Sequence, residues 1–224
     1  MCQIKTKGTL IILLIISFFV SGSVCGQTNP EKEGYQLPPV AENALGLFDR
    51  NDILEISLRY DIGYYMQEKP EEAYMEALMT IYFSPQDSLN KNIRLRARGN
   101  YRYRNCLFPP IRLNFKNSNF GYDDLDKQEN IKIVTHCDTS EIFEKYMLRE
   151  FLVYKMMNTI SDYSFRVRLL KVNYIDISNS SPGFTKYAFA IEPLKELIKR
   201  KGGTELENVE LVYKDMLTRQ IEKM

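Results

Sequence analysis

Ile93-Arg-Leu-Arg-Ala-Arg-Gly-Asn-Tyr-Arg-Tyr-Arg-Asn-Cys-Leu-Phe-Pro-Pro-Ile-Arg-Leu-Asn-Phe-Lys116 is the stretch on which the reading of this chain turns. Ile93, Leu95 and Ala97 alternate with Arg94, Arg96 and Arg98, the period of a β-strand with one buried face. Gly99-Asn100 accepts positive φ and is read as a turn, after which Tyr101-Arg102-Tyr103-Arg104 alternates again. Pro109-Pro110 interrupts, and Ile111, Leu113 and Phe115 then interleave with Arg112, Asn114 and Lys116. From Ser88 to Tyr122 there is no Asp or Glu, while Lys91, Arg94, Arg96, Arg98, Arg102, Arg104, Arg112 and Lys116 are all cationic. Two or three neighbouring strands are therefore expected to hold a guanidinium patch. Arginine forks suit multidentate anions, phosphate above all. A solvated basic face neutralised by distant acids is the other reading, and the residues alone leave both open.

Outward from this stretch, the balance of charge is even. The 224 residues carry 30 Lys and Arg against 29 Asp and Glu, with 44% hydrophobic and 12% aromatic residues. That is enough apolar matter for one folded domain, and too little excess charge for a general nucleic-acid binder. The N-terminus reads as an export signal. Lys5 and Lys7 precede the apolar run Leu10 to Val20, and small residues follow in Ser21-Gly-Ser-Val-Cys-Gly26. At 11 residues the run is too short for a permanent membrane span. Val24 and Gly26 fit a signal peptidase site, so the mature chain is expected to start at Gln27 with 28 basic and 29 acidic residues, net −1, and no transmembrane helix. A lipid anchor at Cys25 fits less well, because Val24 replaces the small residue usual before such a cysteine.

Export would leave Cys106 and Cys137 as the mature chain's cysteines, a candidate disulfide; two free buried thiols are the alternative. His136 is the chain's sole histidine, too little for a metal site beside Cys137 and Asp138. Asp124 and Asp126 form a D-x-D pair better explained by turn chemistry than by a cation.

Residues 27–43 read as a polar linker, and 44–224 as one α+β domain. Strands are expected over Ile53–Ile62, Glu71–Phe83, the basic segment, Ile131–Thr135, and a hairpin of Phe165–Ile177 with Lys186–Ile191. Thr139 or Ser140 opens a long helix to about Thr159, with Arg149 and Glu150 inside it. Glu192-Pro193 opens a short helix ended by Gly202-Gly203, and Val209–Lys223 reads as a terminal amphipathic helix.

The order R-x-R-G-N, P-P-I-R-L-N-F-K, I-K-I-V-T-H-C-D, Y-M-L-R-E-F-L-V-Y-K, V-R-L-L-K-V-N-Y-I-D and Y-A-F-A-I-E, from Arg94 to Glu192, resembles the spore-coat protein H (CotH) kinase family, in its exported Bacteroidetes-type branch. The resemblance implies the N-terminal part of an atypical kinase-like fold: a mostly antiparallel sheet with one long helix inserted, using ATP and Mg²⁺. It places Arg98, Gly99 and Asn100 near a nucleotide, Arg112 and Lys116 on the phosphates, Arg149 and Glu150 on the helix that orients the basic group, and Glu192 beside the adenine. The segments that carry that family's metal-binding and catalytic acids do not occur before Met224. The resemblance therefore implies a nucleotide-binding half, incomplete and inactive as a kinase, with no catalytic residue assigned. The alternative is a non-enzymatic exported module whose arginine-rich face binds an anionic partner.

Overall fold

A computed structural model describes residues 44–116, 118–178 and 182–205. Seven strands close into a barrel: β1 (Leu54–Tyr60), β2 (Met75–Tyr82), β3 (Ser88–Ala97), β4 (Ile111–Asn114), β5 (Asn130–Val134), β6 (Val167–Asp176) and β7 (Phe184–Ile191). Around the ring the order is β1-β2-β3-β4-β5-β7-β6, returning to β1. Every pairing is antiparallel except the closing one, in which β1 runs parallel to β6 from Leu54↔Leu170 to Tyr60↔Asp176.

This overturns the expected α+β, kinase-like arrangement of a mostly antiparallel sheet with one long helix inserted. The strand alternations and the β6–β7 hairpin are present, but the sheet has no open edge, and the long helix lies outside it. Closure depends on a parallel pair more than a hundred residues apart in sequence, which no local pattern announces. A second correction concerns Tyr101–Asn105, which forms a short helix, α2, rather than a strand. Gly99 takes φ +107°, turning the chain out of β3, and Cys106 closes the helix with its N–H on Arg102 O.

Period two sorts each strand. Ile56, Leu58, Leu95, Ile111, Ile133, Val172 and Ala188 point inward and are buried, filling the barrel with aliphatic side chains. One end is sealed by the loop 44–52. Asp124 accepts hydrogen bonds from the N–H groups of Leu45 (2.8 Å) and Leu47 (3.0 Å), while buried Arg168 pairs with Asp52 at 2.9 Å. Asp126 accepts from Phe120 N (2.6 Å) and Gly121 N (3.0 Å), so both acids of the D-x-D pair serve as loop anchors. At the other end, α1 (Ile62–Glu68) crosses the mouth. Tyr65 donates to Pro109 O at 2.9 Å, and Asp176 accepts from Ile62 N at 2.9 Å. Phe108 stands among Tyr65, Tyr174, Phe184 and His136 there. The Cys106–Cys137 disulfide joins the end of α2 to the turn after β5.

The helix α4 (Glu141–Ile160) lies along the barrel's outer wall; α3 (Asp123–Asp126) is a single turn earlier in the chain. Met147, Leu148, Phe151 and Tyr154 pack on Val134, Val167, Phe189 and Ile191, a second core outside the first. Glu144 accepts from Tyr187 N (2.7 Å), and Asn158 donates to Phe165 O (2.8 Å), which fixes the helix at both ends. The last described helix, α5 (Leu194–Lys201), leaves β7 through Glu192. The expected export signal, the linker 27–43 and the terminal helix 209–223 lie outside the described residues. Among the described residues, no helix is long and apolar enough to cross a membrane.

Candidate anion-binding cleft

The outward positions of β3, β4 and β5 carry the basic residues. Register places Arg96 directly beside Arg112, and Arg112 directly beside Lys132, so three cations share one row across three strands. Arg98 follows at the end of β3, its N–H on Pro110 O at 2.9 Å. The helix α2 brings Arg102 to one side of the row, and α4 brings Glu150 and Tyr154; Arg102 and Glu150 form an ion pair. On the other side Arg112 and Lys132 line an open groove with Leu194 and Lys195 of α5, and Glu129, Glu196 and Glu205 contribute to the same groove.

One row further along, the polar groups satisfy each other. Arg94 donates to Asn114 Oδ1 (2.9 Å), Asn114 donates to Asn130 Oδ1 (3.0 Å), and Tyr74 also donates to Asn130 Oδ1 (3.0 Å). The guanidinium carbons of Arg94 and Arg96 sit 5.4 and 5.1 Å from the centre of the Tyr74 ring, whose face stabilises the two cations.

Within the cation row itself, Arg96 alone shares this compensation among the described residues, through the Tyr74 ring. Among the described residues, Arg96, Arg98, Arg112 and Lys132 form no ion pair, and the Nε atoms of all three arginines are buried without a hydrogen-bond partner. Elsewhere Arg166, Arg168 and Arg200 are paired with carboxylates. Buried Glu192 binds Arg166 at 2.8 Å and Arg200 at 2.9 Å, and Arg166 also pairs with Asp49. Burial alone would raise the Glu192 carboxyl, but the hydrogen bonds from Arg200 and Arg166 outweigh it and hold it below the usual range.

The crowding of cations shows in the proton affinities of Arg98 and Lys132. Burial lowers Arg98, and the adjacent Arg112 and then Arg102 lower it further, with Tyr154 and Glu150 opposing. Burial lowers Lys132, as do Arg98 and Arg112. Each of these groups would be relieved by an anion. A tetrahedral oxyanion bears several acceptors, which suits a row of forked donors.

No family model, curated protein or solved structure matches this chain.

The residues that the kinase resemblance singled out are thus partly reunited and partly dispersed. Arg98 and Arg112 are neighbours, with Glu150 within electrostatic reach of Arg98. Glu150, however, is engaged by Arg102 rather than Arg112. Gly99 supplies the turn and Asn100 caps α2 through its backbone position, without a side-chain hydrogen bond. Lys116 is exposed beyond the end of β4, and Arg149 is exposed on the outer face of α4, 5.6 Å from the Tyr146 ring centre. Glu192 belongs to the arginine cluster at the end of β7. Lys132 and Arg102 were not singled out as ligand-binding residues. The Ile131-Lys-Ile133 alternation carried the signal for Lys132, whose outward position follows from period two. Among the described residues no group of three or more His, Cys, Asp or Glu could hold a metal ion.

Proposed function

We propose that this chain is a binding protein for a phosphate-bearing ligand, held on the outer wall of the barrel by Arg96, Arg98, Arg112 and Lys132. The observation that carries this reading is the cation row, whose members form no ion pair among the described residues, in a protein that pairs Arg166, Arg168 and Arg200 with carboxylates. Arg96 and Arg112 offer their forks to one phosphate. Lys132 and Arg98 flank it, and the Arg102–Glu150 pair limits the cleft on the α4 side. The buried guanidinium stems leave only the charged tips to solvent, so little side-chain freedom remains to be lost on binding. A nucleotide is one source of such a phosphate, and a phosphorylated glycan or lipid headgroup is another with the same recognition chemistry. The reading extends to a protein at work after export, supported by the signal-like N-terminus and the Cys106–Cys137 disulfide.

Calorimetry with inorganic pyrophosphate, ATP and sulfate tests it. Pyrophosphate and ATP are expected to bind, with affinity falling as salt rises and falling at least about tenfold in Arg112→Gln and in Arg98→Gln, the loss of one charge-assisted hydrogen-bonding group. Equal pyrophosphate and ATP affinities mean that the phosphates alone are read, and a preference for ATP adds the nucleoside. Absence of binding to either, or affinity unchanged in both variants, overturns the reading.

A further inference from the structure

The groove beside the cation row carries a second kind of chemistry. It shares Arg112 and Lys132 with the row, and Pro193 and Leu194, where α5 begins, also line it. Its volume of about 390 Å³ lies within the roughly 300–1,000 Å³ of small-molecule sites, which is room for more than a phosphate group. Leu194 is 40% exposed and offers an apolar surface there. On the opposite side of the row the Arg102–Glu150 pair limits the cleft, so whatever is attached to a bound phosphate leaves through the groove.

Carboxylates wait in that direction. Glu129 precedes β5, Glu196 lies in the first turn of α5, and Glu205 follows α5. Among the described residues none of the three forms an ion pair. They do not neutralise the row either, since the charges that shift Lys132 are those of Arg98 and Arg112. Of the other cations lining the groove, Lys127 is held by Asp123 at 3.5 Å, which leaves Lys195. With Arg112 and Lys132 given to a phosphate, three carboxylates against one ammonium leave a net −2. An ionised carboxylate only accepts hydrogen bonds, so the group it suits must donate them. The net negative charge favours a cationic donor over a neutral hydroxyl.

We propose that the ligand is a phosphorylated amine. Its phosphate ester lies on Arg112 and Lys132, its ammonium group lies between Glu129 and Glu196, and its connecting carbons rest on Pro193 and Leu194. The inference rests on the phosphate reading above and supplies the other half of the ligand. Glu129 stands three residues before Lys132, about 10 Å along the strand, which leaves space for a short ester between the two side-chain ends. An ethanolamine lipid headgroup and a free phosphoethanolamine share this chemistry.

Calorimetry on the full chain with O-phosphoethanolamine, ethyl phosphate and pyrophosphate tests it. Ethyl phosphate keeps the ester and lacks the amine. Phosphoethanolamine is expected to bind at least about threefold more tightly than ethyl phosphate, the yield of two partly screened charge contacts. That preference should vanish in Glu129→Gln combined with Glu196→Gln, while pyrophosphate binds this variant at least as well as the parent, which also reports that the fold is intact. Cosedimentation with phosphatidylethanolamine vesicles separates the two sources: retention supports a lipid headgroup, and binding of the free ester alone supports a soluble compound. Pyrophosphate binding without a preference for phosphoethanolamine over ethyl phosphate, or a preference that survives in the double variant, overturns this inference and leaves the phosphate reading standing. Failure of all three compounds to bind overturns both.

Discussion

Replacing Arg112 by Gln should make the unliganded protein more stable and the liganded one weaker. Arg112 stands between Arg96 and Lys132 in the register, so the substitution removes two cross-strand like-charge contacts at once. Directly opposed like charges destabilise a sheet by roughly 0.2–1 kcal/mol each, so relief of the two amounts to about 0.4–2 kcal/mol. Gln keeps part of the aliphatic stem and a polar end, and Arg112 has no ion pair to lose among the described residues. For a domain of this size that gain corresponds to roughly 1–8 °C in Tm. The assay is a thermal melt in low salt without phosphate, repeated at high salt and then with pyrophosphate. In low salt Arg112→Gln should melt above the parent, and the gap should narrow as salt screens the row. With saturating pyrophosphate the order should reverse, because only the parent gains the full ligand stabilisation. A variant that melts below the parent in low salt without ligand would refute the reasoning, since Arg112 would then be held by interactions stronger than the repulsion.

Three further outcomes are expected. His136 is buried against Phe108 at 4.9 Å, and burial, with Lys186 nearby, lowers its pKa to about 4. Both states are neutral at His136 above pH 6.5; as pH falls from there to about 4 the unfolded chain takes up a proton that the native state refuses. Stability should therefore drop by roughly 1.4 kcal/mol per pH unit across that window, and a His136→Gln variant, followed by melts against pH, should lose this slope. Cys106→Ser together with Cys137→Ser opens a loop with a sequence separation of 31 residues, and chemical denaturation should show a loss of about 3–4 kcal/mol. Glu192→Gln strips the shared partner from Arg166 and Arg200, so a loss of roughly 3–5 kcal/mol is expected; a loss under 1 kcal/mol in urea titration would mean that Asp49 and solvent suffice for those arginines.

Period-two alternation is a local property, because successive side chains on a strand point to opposite faces. The residues alone therefore sorted Ile93, Leu95 and Ala97 from Arg94 and Arg96, Ile111 and Leu113 from Arg112, and Ile131 and Ile133 from Lys132. The same local reasoning placed the long helix after Ser140, with Glu141 and Glu144 in its first turn, the β6–β7 hairpin, and the turn chemistry of Asp126, while Asp124 holds the distant loop at Leu45 and Leu47, which it did not foresee. It also proposed Cys106 and Cys137 as a bridge, which the fold forms. It failed at Tyr101–Asn105, where an alternating Tyr-Arg pattern is equally the outside of a five-residue helix standing off the sheet.

What only the tertiary structure decided is who stands beside whom. The parallel β1–β6 pair closes a barrel in place of the expected α+β sheet, because strand pairing is chosen by the burial of the whole interior rather than by either strand's own residues. Register then puts Lys132 beside Arg112 although 20 residues of chain separate them, and directs Glu150 to Arg102. The charges were legible one at a time in the sequence. Their repulsion, which is what marks the cleft, exists only once the strands lie side by side, since Coulomb energy depends on distance in space and not along the chain.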